Sequence, residues 1–136
     1  SGDEKLIARI KKDVSIWNIN SFGEFYMQIA EKYQKDYKTA LVQFRKERQR
    51  FIAELKKIKQ LRILPTQANY IMAEILEGYS SKELAKILLV HHDLFIKDLS
   101  KKINDSNRQF IRISVRNTED NNKFLAAVKE TFTERA

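Results

Sequence analysis

The stretch of sequence that decides the fold reads Gln109-Phe110-Ile111-Arg112-Ile113-Ser114-Val115-Arg116. Its side chains alternate between two faces, with three β-branched residues on one face and both arginines on the other, which is typical of a half-buried strand. A strand is a stiff support from which an arginine can present its planar guanidinium to a carboxylate through two hydrogen bonds. Two interpretations are open. Either the arginine face binds a ligand, or this face is solvated and its arginines pair with neighbouring acids.

The residues that follow this strand predict a closing helix. Thr118 is the expected N-cap, and Glu119 and Asp120 would lie in the first turn, where negative charge suits the helix dipole. The buried face of this helix would carry Phe124, Leu125 and Val128.

Composition favours one domain over residues 1–136, because this length supplies one core and hardly two. The formal charge is +8, from 26 basic and 18 acidic residues. The basic residues are scattered among acidic ones, which does not favour nucleic acid as a partner. No apolar run approaches the roughly 20 residues of a membrane helix, and we expect no membrane partner. The chain has no cysteine, which excludes disulfides and thiolate metal sites and is compatible with the cytoplasm, where we expect the protein.

The first half of the chain predicts helices. Residues 1–10 form a short amphipathic pattern, and Ser21 with Glu24 has the spacing of a capping box, so that a second helix would begin at Phe22. A long helix is predicted from Tyr37 to about Lys59. Many of its basic side chains, including Arg45, Lys46, Arg48 and Arg50, would form either a basic recognition surface or a solvated face with charge pairs.

The second half adds strands. Residues 61–65, 69–75 and 94–98 read as strands, and a capping box of Ser80 and Glu83 predicts a helix over residues 82–89. The predicted fold class is therefore α+β: a small two-layer domain with a largely antiparallel sheet of three to four strands backed by helices, preceded by a long linker helix.

Several segments together resemble a known family. Arg112 in a late strand, a short polar turn over residues 117–122 that contains Glu and Asn, and then Phe-Leu-Ala-Ala at 124–127 resemble the C-terminal end of fold type I pyridoxal-phosphate (PLP) enzymes. The resemblance is greatest to threonine-phosphate decarboxylase and histidinol-phosphate aminotransferase. The segments 17–20, 69–71 and 94–98 are similar to further elements of the same enzymes. Together these segments extend the resemblance over nearly the whole chain.

The resemblance implies roles for four residues. Arg112 would bind the α-carboxylate of an amino acid substrate. Lys97 stands where the family usually has an arginine near the substrate's phosphate or carboxylate, and it keeps the charge but loses the planar fork. Trp17 and Asn20 are further substrate-binding candidates, for which the alternatives are packing and a backbone hydrogen bond at the helix entry, respectively. No residue is assigned to catalysis, to a metal or to the cofactor.

The resemblance also implies a larger protein. We expect residues 1–136 to be the C-terminal domain of a PLP-dependent aminotransferase or amino-acid decarboxylase, with residues 1–20 as the linker from a large domain. The full-length protein would be a homodimer, would bind PLP and would act on an amino acid that is phosphorylated or carries a phosphonate. No segment here resembles the family's PLP-binding segments, so the isolated chain is expected to bind no cofactor and to be inactive.

Two rival interpretations come from other classes of protein. The first is a stand-alone basic module that binds an anion or RNA through Arg112, Arg116 and the long helix. The second is a purely structural domain that has lost its site. A salt bridge from Arg112 to a neighbouring acid would favour this second interpretation.

Overall fold

The computed structural model describes residues 2–13, 19–103 and 107–134. The chain divides into two compact units, Ser1–Ala40 and Leu41–Ala136. Among the described residues, no helix is long and apolar enough to cross a membrane.

The first unit is helical. It contains helix α1 (Glu4–Asp13), helix α2 (Ser21–Ile29), a 3-10 helix (Ala30–Tyr33) and the first turns of helix α3 (Gln34–Leu55). No residue of α2 is buried in the structure, and Phe22 is 84% exposed.

The second unit contains the rest of α3 and a four-stranded sheet with two further helices. In chain order these elements are β1 (Leu61–Ile63), β2 (Tyr70–Ile75), α4 (Ser81–His92), β3 (Lys97–Asp98), β4 (Gln109–Ser114) and α5 (Thr118–Thr133). The strands lie in the order β1-β2-β4-β3, and every neighbouring pair is antiparallel. The predicted α+β class with an antiparallel sheet is confirmed.

The core lies between one face of this sheet and the helices. Ile111 and Ile113 of β4 are buried, as the alternation predicted. Phe51 of α3 packs edge to face on Phe124 of α5, with ring centroids 5.9 Å apart. The remaining fully buried aliphatic side chains include Leu55, Ile71, Leu84, Leu88 and Val128.

Two predicted helix starts were wrong by one residue. Asn20, and not Ser21, caps α2, because its side-chain oxygen accepts a hydrogen bond from the Gly23 amide at 2.8 Å. Asn117 caps α5 in the same way through the Asp120 amide, while the Thr118 hydroxyl donates to Glu47 at 2.8 Å. Asparagine and threonine are both good caps, and at α5 the Thr118 side chain has another partner in Glu47, which leaves the cap to Asn117.

The capping box before α4 is confirmed. The Ser80 hydroxyl accepts from the Glu83 amide, and the Glu83 carboxylate accepts from the Ser80 amide at 2.9 Å. The other end of α4 explains why the predicted strand 94–98 shortens to residues 97 and 98. Asp93 adopts a left-handed conformation with φ 55°, and the Leu94 amide donates to the Leu88 carbonyl, which closes the helix. The Leu94 amide is therefore not free to pair in the sheet.

The strand that was predicted over residues 109–116 ends at Ser114. The Arg116 amide donates to the Asn121 side chain at 3.0 Å, and the Arg116 carbonyl accepts from the same side chain at 2.9 Å. These two bonds commit the backbone at Arg116 to the start of α5.

The long helix also departs from the prediction. It begins at Gln34, ends at Leu55 instead of Lys59, and carries one basic residue that is not solvated. Arg48 is only 8% exposed and donates to the carbonyls of Gln67 and Ala68 at 2.5 and 2.9 Å. The prediction of a solvated face was therefore wrong for Arg48, because its guanidinium hydrogen-bonds to two carbonyls of the turn before β2.

Candidate functional site

The sheet has one apolar face and one face that carries charge. We call the second the open face and define it by Tyr70, Met72, Lys97, Arg112 and Ser114. The strand register places these residues together, since Arg112 pairs with Met72 on one side and Lys97 on the other, and Ser114 pairs with Tyr70. Residues paired across antiparallel strands point to the same face.

One residue of β4 departs from the simple alternation. Phe110 shares the polar face with Arg112, but it is buried. The Arg108 guanidinium covers its ring, with Cζ 4.8 Å from the ring centroid. The stem of an arginine can shield apolar surface while its charge stays in water, so this end of the face is closed and the Arg112 end stays open.

Arg112 lies in the middle of the sheet with an exposed side chain. Its Cζ atom lies 5.2 Å from the centroid of the Tyr70 ring, a cation–π contact. Within residues 2–13, 19–103 and 107–134, no carboxylate forms a salt bridge with Arg112 and no acceptor takes a hydrogen bond from its guanidinium. Its donors are therefore available to an external anion.

The carboxylates around the sheet have other partners. Glu74 of β2 accepts from Arg108 Nε at 2.7 Å and also pairs with Arg62. The hydrogen bond from Arg108 lowers the pKa of Glu74, against an opposing effect of burial. Asp120 accepts from Arg116 at 2.7 Å. Because these acids are occupied, they do not neutralise Arg112.

Asp98 is occupied as well, and it anchors β3. Its carboxylate accepts from the buried Ser81 hydroxyl at 2.7 Å and from the Ser100 amide and hydroxyl at 2.9 and 2.8 Å. Burial would raise the pKa of Asp98, but these hydrogen bonds outweigh it and lower the pKa. A short strand of two residues is thereby held in place, and Lys97 with it.

Lys97 faces Arg112 directly across the β3–β4 pair. Side chains in this relation have Cβ atoms roughly 5 Å apart, and like charges there repel. Lys97 also lines a groove of about 600 Å³ beside β3. The other lining residues of this groove include Lys86, Leu89, Phe95, Lys101 and Lys102. An anion between Lys97 and Arg112 would relieve the repulsion between the two cations.

The two remaining predicted site residues belong to the first unit. Asn20 uses its side-chain oxygen to cap α2, as the alternative interpretation held. Trp17 lies outside the described residues.

Asn121 supports the site and was not singled out from the sequence as a supporting residue. It is 2% exposed, and its amide donates to Glu47 at 2.8 Å in addition to its two bonds with the Arg116 backbone. These contacts hold the turn between β4 and α5. No sequence signal identifies this role, because a buried asparagine near a helix start looks like any polar residue of the first turn.

Comparison with known proteins identifies the family of this chain. The family model described as aminotransferase class I and II matches residues 1–128. The chain belongs to the aminotransferase class I and II family. This aminotransferase-family chain is similar to an L-serine phosphate decarboxylase from Campylobacter jejuni, with 26% identity over 96% of the chain and 34% of that protein.

Two solved structures are similar to this aminotransferase-family chain. A decarboxylase from Sulfurospirillum multivorans has 28% identity and a TM-score of 0.78 over 94% of the chain and 36% of that structure. A histidinol-phosphate aminotransferase from Clostridium acetobutylicum has 30% identity and a TM-score of 0.78 over 98% of the chain and 40% of that structure. The chain thus spans about a third of the length of the first relatives it matches. The stand-alone binding module is not supported.

Proposed function

We propose that residues 1–136 form the substrate-carboxylate-binding part of a PLP-dependent aminotransferase or amino-acid decarboxylase, in which Arg112 binds the α-carboxylate. The observation that carries this proposal is the exposed Arg112 in a central strand of the sheet, with which no carboxylate in the described part of the chain forms a salt bridge, since Glu74 and Asp120 have other partners. A carboxylate matches the planar fork of a guanidinium and can accept two parallel hydrogen bonds. This observation also argues against a purely structural domain, because in such a domain a neighbouring carboxylate would be expected to form a salt bridge with Arg112.

The substrate that we propose is an amino acid with a phosphate or phosphonate group. Lys97 would contact that second anion, since an ammonium is a compact point charge that binds phosphate without a fixed fork. The relatives named for serine phosphate and histidinol phosphate support this substrate class. Asn20 and Trp17 stay in the proposal as further contacts to the substrate.

PLP would belong to the full-length protein, and the residues of this chain do not fit a site that holds it. A lysine that forms a Schiff base with PLP needs a desolvated amine of lowered pKa. Every lysine among the described residues has an exposed side chain. When bound elsewhere in the protein, PLP would supply the electron sink for chemistry at Cα. This chain would supply the grip that orients the amino acid. A large domain, a homodimer and a cytoplasmic setting complete the proposal.

The test uses the full-length protein that contains this chain, purified with PLP and assayed with O-phospho-L-serine. Arg112→Ala should raise KM by about 30-fold or more, because truncating one partner of a hydrogen-bonded charge pair costs about 2–5 kcal/mol. Arg116→Ala is the matched control, since that arginine is also exposed and follows β4 by two residues, but it is paired with Asp120. An unchanged KM for Arg112→Ala would overturn the carboxylate assignment.

Lys97→Met tests the second anion separately. It should raise KM for O-phospho-L-serine by about tenfold, since a charged hydrogen bond contributes about 1.5–3 kcal/mol. The KM for L-serine, which has no phosphate, should stay as in the unmodified protein. Equal effects on both substrates would contradict a phosphate contact by Lys97.

A further inference from the structure

On the open face, the Arg112 guanidinium lies against the aromatic ring of Tyr70. An arginine on an exposed strand face has about 2 kcal/mol of rotamer entropy to lose before it can bind a ligand in a fixed geometry. The neighbours across the strands are Met72, which offers no hydrogen-bond acceptor of consequence, and Lys97, which repels it. The Tyr70 ring, 5.2 Å from Arg112 Cζ, is the described group that attracts the guanidinium.

The position of Tyr70 follows from the sheet register. Tyr70 pairs with Ser114 and Met72 pairs with Arg112, so Tyr70 and Arg112 are diagonal neighbours on the open face. Diagonal neighbours are within reach of each other when one side chain is aromatic and the other is long. A ring contact also occupies none of the guanidinium donors in a hydrogen bond, so the in-plane N–H groups stay available for a carboxylate.

The backbone that carries Tyr70 is fixed on both sides of the residue. The Tyr70 carbonyl accepts from the Thr66 hydroxyl at 2.9 Å, and the Asn69 carbonyl accepts from the Val115 amide at 2.9 Å. Just upstream, the buried Arg48 donates to the carbonyls of Gln67 and Ala68. The backbone from which the ring extends is therefore held by hydrogen bonds, although Tyr70 itself is 41% exposed.

We propose that Tyr70 is a positioning residue that holds the Arg112 guanidinium over the open face, so that its fork meets the substrate carboxylate without reorientation. This inference rests on the proposed function, since it concerns the same carboxylate. It assigns the effect to the aromatic ring and not to the hydroxyl, because the contact is between Cζ and the ring centroid. Tyr70→Phe should then preserve the effect, and Tyr70→Leu should remove it.

The test compares two ligands that differ in the carboxylate alone. O-phospho-L-serine and O-phosphoethanolamine share the amine and the phosphate, and the second lacks the carboxylate. Both are titrated calorimetrically into the full-length protein after PLP loading and borohydride reduction, which lets ligands bind without reacting. The ratio of the two Kd values isolates the carboxylate contact from the rest of the site.

In Tyr70→Leu the Kd for O-phospho-L-serine should rise about three- to fivefold, the effect of one cation–π contact at an exposed site, while the Kd for O-phosphoethanolamine stays constant. Tyr70→Phe should leave both Kd values constant. Tyr37→Leu is the control, because Tyr37 is also an exposed tyrosine, at 57%, and lies in the first unit.

Three results would overturn the inference while leaving the proposed function intact. In the first, Tyr70→Leu leaves both Kd values unchanged. In the second, Tyr70→Leu raises both Kd values equally, as a packing defect would. In the third, Tyr70→Phe raises the Kd for O-phospho-L-serine as much as Tyr70→Leu does. A fourth result, equal binding of the two ligands by the unmodified protein, would instead overturn the carboxylate assignment of Arg112 and the role of Tyr70 with it.

Discussion

Glu47 shows how one residue joins two helices through side chains that are far apart in the sequence. Its carboxylate accepts from Arg50 of its own helix α3 at 2.7 Å and from Thr118 and Asn121 of α5 at 2.8 Å each. The hydrogen bond from Arg50 lowers the pKa of Glu47 most, burial opposes it, and the bonds from Asn121 and Thr118 lower it further, from 4.5 to about 2.

These contacts make Glu47 a source of pH-dependent stability. A carboxylate whose pKa is lower in the folded state stabilises the fold above its unfolded pKa, and this stabilisation is lost as the pH falls through the folded pKa. The contribution of Glu47 should therefore be complete above about pH 5 and should decline between pH 4.5 and about pH 2.

Urea denaturation at a series of pH values tests this prediction. Glu47→Gln should lower the free energy of unfolding at pH 7, and the gap to the unmodified chain should narrow as the pH falls toward 2. Glu77→Gln is the control, because Glu77 is exposed and has no described partner. If the difference in free energy of unfolding stayed constant with pH, Glu47 would stabilise the fold through the packing of its side chain and not through its charge.

At the same scale, Arg112 and Arg48 show what a sequence can indicate about a residue. The alternation of 109–116 placed Arg112 on the polar face, and the structure confirms this placement. Arg48 follows the helical charge pattern equally well and is nevertheless buried, because its partners Gln67 and Ala68 are 19 and 20 residues away. Periodicity assigns a face, but it does not identify what lies against that face.

Among the secondary-structure elements, helix α5 shows how the residues at a helix start fix the turn that joins it to β4. The Asn117 oxygen accepts from the Asp120 amide at 2.8 Å, which satisfies one of the free amides at the helix start. Glu119 and Asp120 lie in the first turn, as predicted, where their negative charges interact favourably with the positive end of the helix dipole.

Asn117→Ala should therefore destabilise the chain by about 1 kcal/mol, the usual loss for an N-cap, measured by thermal or urea unfolding. Asn122→Ala is the matched control, because Asn122 is exposed within the same helix and has no described partner. We expect that control to be neutral or slightly stabilising, since alanine is the better helix former. Equal losses for both variants would contradict the assignment of Asn117 as the cap.

At the scale of the whole molecule, much of the positive charge of the arginines is paired or buried. Arg50, Arg62, Arg108 and Arg116 form salt bridges, and Arg48 is buried. These five arginines therefore add little free positive charge to the surface, and the groove beside β3 gathers four exposed lysines: Lys86, Lys97, Lys101 and Lys102. This internal pairing leaves Arg112 and Lys97 as a distinct pair of cations on the open face.

A pair of phenylalanines tests the core. Phe51→Ala should destabilise the chain by about 3–5 kcal/mol, because Phe51 is fully buried against Phe124 and its removal leaves a cavity. Phe95→Ala should change the free energy of unfolding by less than about 0.5 kcal/mol, because Phe95 is 80% exposed. Urea denaturation of both variants measures the difference, and a similar loss at the two positions would contradict the assigned core.

The sequence by itself determined the α+β class, the antiparallel strands, the capping box before α4, the family and the position of Arg112 on the polar face of β4. Each of these depends on local periods of two or 3.6 residues, or on short motifs, which are legible along the chain. Only the tertiary structure decided that Arg112 stays unneutralised, that Tyr70 lies beside it and that Arg48 is buried. These outcomes depend on competition among groups far apart in sequence. Arg108 reaches Glu74 over 34 residues, and Asn121 reaches Glu47 over 74. Such pairings exist only once the strands and helices have packed.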